Sequence, residues 1–278
     1  MGVAAMDRSH WGLSRSPFAN STAGRCYYLN PSGEEAFARL GFLVEERRRL
    51  GLLLGEPGGG KSTLLARLAA DVTYDGGTVA DLSLIAVNAE ELLWQAAAEL
   101  GANPTAGDPT FLLWRTLTDR IAELRYQRTS TLLLLDDAHR ASPEALAIVE
   151  RLVHCESTPE ATLTIVLAAN FDTAERLGGG LLAAVDLRVD LAPWTELDTA
   201  QYVQRALAEA GANEGVFEAA ALTRLHELSG GIPRRVNQLA DLALLAGAGQ
   251  QLEHIDASTV EAVYAELSAG PAAAFVPA

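Results

Sequence analysis

The sequence predicts an α/β protein: a mostly parallel β-sheet with helices on both faces, followed by a smaller domain built of helices alone. Three observations carry this. Five short apolar or β-branched runs alternate with stretches of helical period between Leu50 and Leu191. The first of these runs, Leu52 to Leu54, leads into a glycine-rich loop, Gly55 to Ser62, and then into a Leu- and Ala-rich segment free of Pro and Gly. From Trp194 onward strand signals stop and four short helical segments follow.

Residues 1–30 are irregular and include an extended arm, His10 to Phe18, with two aromatic residues. A helix opens at Pro31 and Ser32, with Ser32 and Glu35 at capping-box spacing, and runs to about Arg49. The first strand and the glycine loop come next. Thr78 to Ile85 is a second strand, Glu90 to Leu100 and Thr110 to Arg128 are helices, and Leu132 to Leu135 is a third strand that ends in Asp136-Asp137. Ser142 caps a helix that has Pro143 at its first position, where a missing N–H costs nothing. Thr162 to Ala168 is a fourth strand ending at Asn170, Gly178 to Gly180 mark a mobile loop, and Val185 to Leu191 alternates like an edge strand. In the helical part, Asp198 caps the first helix, which ends before Gly211. The second runs from Phe217 to Leu228, Pro233 starts the third, and Asp256 caps the fourth, with Val260, Val263 and Leu267 facing inward. The expected divisions are an arm (1–30), an α/β core (31–193), a helical domain (194–268) and a loose Ala- and Pro-rich tail (269–278).

The chain has 278 residues, is 49% hydrophobic and carries a net charge of -15. It is long enough for a sizeable core. The acidic balance argues against a non-specific grip on nucleic acid, where basic surfaces dominate affinity. Glu45 to Arg49 is mixed in sign and reads as a solvated helix end. Cys26 and Cys155 stand in no metal spacing, and no apolar run is long enough to cross a bilayer. Together these point to the cytoplasm.

Gly55 to Ser62 spells G-x-x-x-x-G-K-S, a phosphate-binding loop, between a strand and a helix as that motif requires. Gly55, Gly58, Gly59 and Gly60 let the backbone approach a ligand, and the N–H groups of Glu56 through Thr63 can converge on phosphate oxygens, Pro57 excepted. The helix that begins there adds its positive end. Lys61 reaches the outer phosphates as a mobile charge, and the Ser62 hydroxyl is a natural Mg²⁺ ligand. In a parallel sheet, ligands bind outside the carboxyl ends of the strands. Asp136, at such an end, can hold Mg²⁺ opposite Ser62. Asp137 beside it can orient or polarise an attacking water. Asn170 can hydrogen-bond a phosphate or that water without adding charge. Arg234, in Gly230-Gly231-Ile232-Pro233-Arg234-Arg235 at a helix start, can pair with a phosphate in bidentate fashion.

Taken together these residues resemble an AAA+ ATPase. More narrowly, His10 to Phe18, Glu34 to Leu65, Leu132 to His139 and Leu228 to Gly247 are similar to the ATPase domain of general secretion pathway protein A, a branch related to ATPases that assist transposases. The resemblance implies a P-loop NTPase three-layer αβα core with a parallel five-stranded sheet, followed by a small all-α lid domain. It implies ATP and Mg²⁺ as ligands, hydrolysis to ADP and phosphate, a protein partner switched by the nucleotide, and ring or filament assembly as a homo-oligomer in many members. Carried over, Lys61 and Ser62 are Walker A, Asp136 and Asp137 Walker B, Asn170 sensor 1 and Arg234 sensor 2. The sequence departs from that pattern in two places within the core. Walker B ends Asp-Asp rather than Asp-Glu. Where the family places an Arg before its last core strand, this chain has Ala183-Ala184, with Arg176 and Arg188 the nearest substitutes. An ATP-sensing module with little turnover, and a DNA-associated helper, are the alternative expectations.

Overall fold

The computed structural model of the chain describes residues 9–18, 28–155, 160–213 and 215–268. Cys26 and the 269–278 tail lie outside the described residues. The chain divides into two compact units, residues 31–192 in one, and the described parts of residues 1–30 and 193–278 in the other.

The first unit is the α/β part. Its elements run α1 (Pro31–Glu45), β1 (Leu50–Gly55), α2 (Lys61–Tyr74), β2 (Thr78–Ser83), α3 (Ala89–Glu99), α4 (Thr110–Tyr126), β3 (Thr131–Asp136), α5 (Pro143–Cys155), β4 (Leu163–Ala169), α6 (Gly179–Ala183) and β5 (Leu187–Leu191). The strands form one five-stranded sheet in the order β2-β3-β4-β1-β5, and all four pairings are parallel. The burial pattern follows from this order. Every residue of β1 and β4 is buried, as is β3 up to Leu135. These are the inner strands, and their unbroken apolar runs are what a strand covered on both faces requires. The edge strands β2 and β5 alternate between buried and exposed along their second halves.

Strand parity sorts the two layers of helices. Leu50, Leu52, Leu54, Leu133, Leu135, Ile165 and Leu167 pack into one core with side chains of α3, α4 and α5. Leu53, Leu132, Leu134, Val166 and Ala168 have the opposite parity and are equally buried. On that face α1 and α2 lie against the sheet: a side chain at Gly51 would meet Leu43 of α1, and α2 packs on β2 and β3.

The register sets the carboxyl ends level. Leu54 pairs with Ala169, Gly55 with Leu191, and Ser83 with Asp136. The loop after β1, the end of β3 and Asn170 after β4 therefore share one edge of the sheet.

Three expectations are corrected here. α1 stops at Glu45, and Arg47, at φ 49°, turns the chain before β1. It also starts at Pro31, so Ser32 lies inside the first turn instead of capping it. Gly178 to Gly180 are not a mobile loop: Gly178 (φ 85°) leads into the short helix α6, which buried Leu181 anchors while Gly180 lets it lie against Glu150 of α5.

The second unit contains α7 (Glu196–Glu209), α8 (Ala219–Ser229), α9 (Pro233–Gly249) and α10 (Ala257–Ser268). Val203, Leu225, Val236, Leu239, Leu244, Ile255 and Val260 form its core. The arm belongs to that core. Trp11, Leu13 and Phe18 are buried in it, and Trp11 Nε1 donates to Leu244 O at 2.9 Å. The first helix is capped by Thr195, not Asp198. Thr195 Oγ1 accepts from Asp198 N while the Asp198 carboxylate accepts from Thr195 N, which makes a capping box with Asp198 as its third helical residue. Leu267 is 37% exposed, so it does not join the core as expected.

Candidate nucleotide site

The loop after β1 is shaped by two glycines with left-handed backbones, Gly58 (φ 82°) and Gly60 (φ 102°). Gly55 and Gly59 keep negative φ, and space is what they provide. A Cβ on Gly59 would lie 3.0 Å from Glu56 O, and one on Gly55 3.3 Å from Leu191 Cβ. Gly59 N donates to Glu56 O at 2.9 Å, which closes the turn. Gly60 is the N-cap of α2 and supplies no side-chain cap. The first N–H groups of that helix thus keep donors that its own backbone cannot satisfy.

Lys61 is buried, at 6% exposure. Its Nζ donates to Gly55 O at 2.9 Å, to Glu56 O at 3.1 Å and to Asn170 Oδ1 at 2.7 Å. The ammonium group is thus held over the loop by oxygens of Gly55, Glu56 and Asn170. Beside it, Ser62 Oγ donates to Asp136 Oδ2 in a short hydrogen bond, and Asp136 Oδ1 accepts from Asp137 N at 2.8 Å. Thr63 is exposed on the same first turn, and Pro57 is exposed on the loop.

Asp137 takes a left-handed backbone, φ 51° and ψ 33°, at the head of a 3₁₀ turn from Ala138 to Arg140. Its side chain makes no capping hydrogen bond to that turn. The cap role that an Asp in this position suggests is therefore not what it does.

His139 is a member of the cluster that the sequence did not disclose. It is 7% exposed, and its Nε2 lies 3.2 Å from Asn170 Nδ2. Burial pushes its pKa below the ordinary imidazole value. Lys61 and Arg140 act in the same direction, against Asp137 and Asp172. His139 Nδ1 is buried with no hydrogen-bond partner among the described residues.

Lys61, Ser62, Asp136, Asp137 and Asn170 are thus brought together in the α/β unit. Arg234 lies in the helical unit, at the second residue of α9, where it is exposed. Of the two substitutes for an Arg before β5, Arg188 is engaged within its own strand by Asp190, at 2.7 and 3.1 Å, and Arg176 is exposed in the 3₁₀ segment Phe171–Leu177.

Residues 44–177 match a family model described as an AAA domain. These residues are thus similar to an AAA domain. The match takes in the phosphate loop, Asp136, Asp137, His139 and Asn170. General secretion pathway protein A of Aeromonas hydrophila is 28% identical over 247 residues, which are 85% of this chain and 44% of that relative. The chain therefore spans less than half of the relative's length. Among solved structures, Cdc6p from Pyrobaculum aerophilum is similar at a TM-score of 0.68 and 20% identity, over 86% of this chain and 67% of that one. The Aeropyrum pernix Orc1 protein, solved in complex with DNA, gives 0.62 and 21% over 86% and 66%. The RuvB Holliday junction branch migration motor of Thermotoga maritima gives 0.58 and 16% over 85% and 68%. At these identities the structures attest the fold alone. No helix among the described residues is long and apolar enough to cross a membrane.

Proposed function

We propose that the chain binds Mg-ATP at Gly55 to Thr63 and hydrolyses it to ADP and phosphate, using the change to switch a protein partner. One observation carries this reading: Lys61 is buried and suspended over the loop by Gly55 O, Glu56 O and Asn170 Oδ1, with the Ser62–Asp136 pair next to it. A buried ammonium held at a glycine-rich turn beside a helix start is placed to meet a phosphate oxygen.

The residues present fit the metal. Ser62 Oγ and the Asp136 carboxylate are hard oxygen donors already in contact, the set that Mg²⁺ takes along with phosphate oxygens and water. When bound, Mg²⁺ neutralises charge on the outer phosphates. The loop N–H groups and Lys61 Nζ hold the phosphate oxygens. Asp137 orients the attacking water and accepts its proton on the carboxylate. Asn170 donates from its amide to a phosphate oxygen or to the water. Arg234 is a further candidate to pair with a phosphate.

Phosphate release in the presence of Mg-ATP tests this. Lys61→Ala is expected to lower the rate at least 100-fold, the usual effect of removing a group that stabilises transferring charge. Equal rates for the variant and the parent would defeat the reading.

A second reading, an ATP-sensing module with little turnover, is favoured by Asp137. Its carboxylate is one methylene shorter than the Glu usual at that place. On this reading Asp137→Glu raises phosphate release while the affinity for ATP stays constant, and rapid hydrolysis by the parent removes it. The net charge of -15 weighs against a DNA-associated role.

A further inference from the structure

We propose that His139 is the positioning residue that locks the amide of Asn170 in one orientation, so that its oxygen steers Lys61 and one of its N–H bonds is reserved for a phosphate oxygen. This rests on reading Lys61 and Asn170 as phosphate-site residues.

The inference follows from donor and acceptor chemistry. Lys61 Nζ has only donors, so the Asn170 atom 2.7 Å from it is the carbonyl oxygen. That orientation puts Asn170 Nδ2 3.2 Å from His139 Nε2. An amide NH₂ group also has only donors, so Nε2 accepts, and the one proton of the neutral imidazole sits on Nδ1. Free histidine in water favours the other tautomer. Here the choice is made at both ends of the amide, by a pure donor on one side and a lone pair on the other. The second Nδ2 hydrogen is used by neither partner, which leaves a neutral donor for an anionic oxygen. Were His139 to carry a proton on Nε2, two donors would face each other. The amide would then turn over and withdraw its oxygen from Lys61.

Burial makes the lock firm. His139 is 7% exposed, so water cannot replace Nε2 as the acceptor at little cost. Its Nδ1 proton is buried without a partner among the described residues, so the ring is not held by a bond on its far side. Its side-chain hydrogen bond among the described residues is the one to Asn170.

Two measurements test the proposal, one of them independent of turnover. In the first, ¹⁵N shifts of the imidazoles identify the tautomer of His139 at neutral pH, assigned by the loss of its signals in His139→Gln. Nδ1 is expected to be protonated and Nε2 bare, and the bias is expected to fade in Asn170→Ala. A proton on Nε2 in the parent overturns the proposal.

In the second, steady-state hydrolysis of Mg-ATP is compared among three proteins. His139→Leu, which has no acceptor, is expected to lower kcat about 10- to 100-fold, as do changes to groups that orient a ligand-contacting side chain. Its KM is expected to stay within about twofold. His139→Gln, whose Oε1 can accept from Asn170, is expected to recover most of the rate. Equal rates for the Leu variant and the parent, or equal losses in the Leu and Gln variants, overturn it.

If the Leu variant fails to fold, the tautomer of the parent and the rate of the Gln variant still decide. If the parent shows no turnover, the ATPase reading fails, while the tautomer still decides the positioning role.

Discussion

Asp137 holds a backbone conformation that costs most residues about 1 kcal/mol, and its side chain does not repay that by capping the turn it heads. Asp and Asn tolerate this conformation best, so Asp137→Asn isolates the carboxylate. It is expected to leave the unfolding midpoint in urea nearly unchanged while phosphate release falls about 100-fold. A fall in stability together with rate would instead assign Asp137 to the fold. At this scale the sequence disclosed what has a fixed spacing. Lys61 and Ser62 are named by the loop, and Asp136 by four leucines before it. His139 was unreadable because its meaning lies in Asn170, 31 residues away along the chain and just past the end of β4. Alone it is a histidine in a loop.

The start of α7 is the clearest case of an element held by its cap. Asp198 is 6% exposed and accepts from Thr195 N at 2.9 Å, Thr195 Oγ1 at 2.8 Å and Asn30 Nδ2 at 3.1 Å. Burial alone would push its pKa up. The bonds from Thr195 and Asn30 and the nearby His226 outweigh that and hold the carboxyl below its ordinary value. Asp198→Ala leaves buried donors unmatched and is expected to cost about 1–3 kcal/mol in urea titration at neutral pH. A group whose pKa is lower in the folded state contributes stability above its unfolded value, about 3.9, and loses it as pH falls through the folded one. The gap between the parent and Asp198→Ala should accordingly be constant from pH 7 down to about 5 and narrow below pH 4. A gap that widens in acid would sink the assignment. The helix itself was legible, but its first residue was not, because Thr195 and Asp198 are both good capping residues. With Thr195 as the cap, the Asp198 carboxylate also accepts from Asn30, which arrives from the arm side of the chain. Likewise Gly178 to Gly180 read as a loop by composition, and Leu181 overrode it by burial.

For the molecule as a whole, the order of elements was readable because inner strands are apolar throughout and edge strands alternate. The arm was not readable, since the hydrogen-bond partners of Trp11 and Ser14 lie 233 and 196 residues away. Trp11→Ala removes a side chain 3% exposed and its bond to Leu244 O. It is expected to destabilise the helical unit by about 3–5 kcal/mol. Limited proteolysis should then open the helices while the α/β unit stays intact, and simultaneous cleavage of both would argue against separate cores. The same arm has a consequence for biosynthesis. Trp11 emerges from the ribosome 233 residues ahead of Leu244, with the whole of the α/β unit translated in between. Residues 31–192 are free to fold as they appear, while the arm waits as an unpartnered apolar segment. The helical unit can complete itself only after α9 is synthesised, so the first apolar residues of the arm to be made are among the last to find their partners.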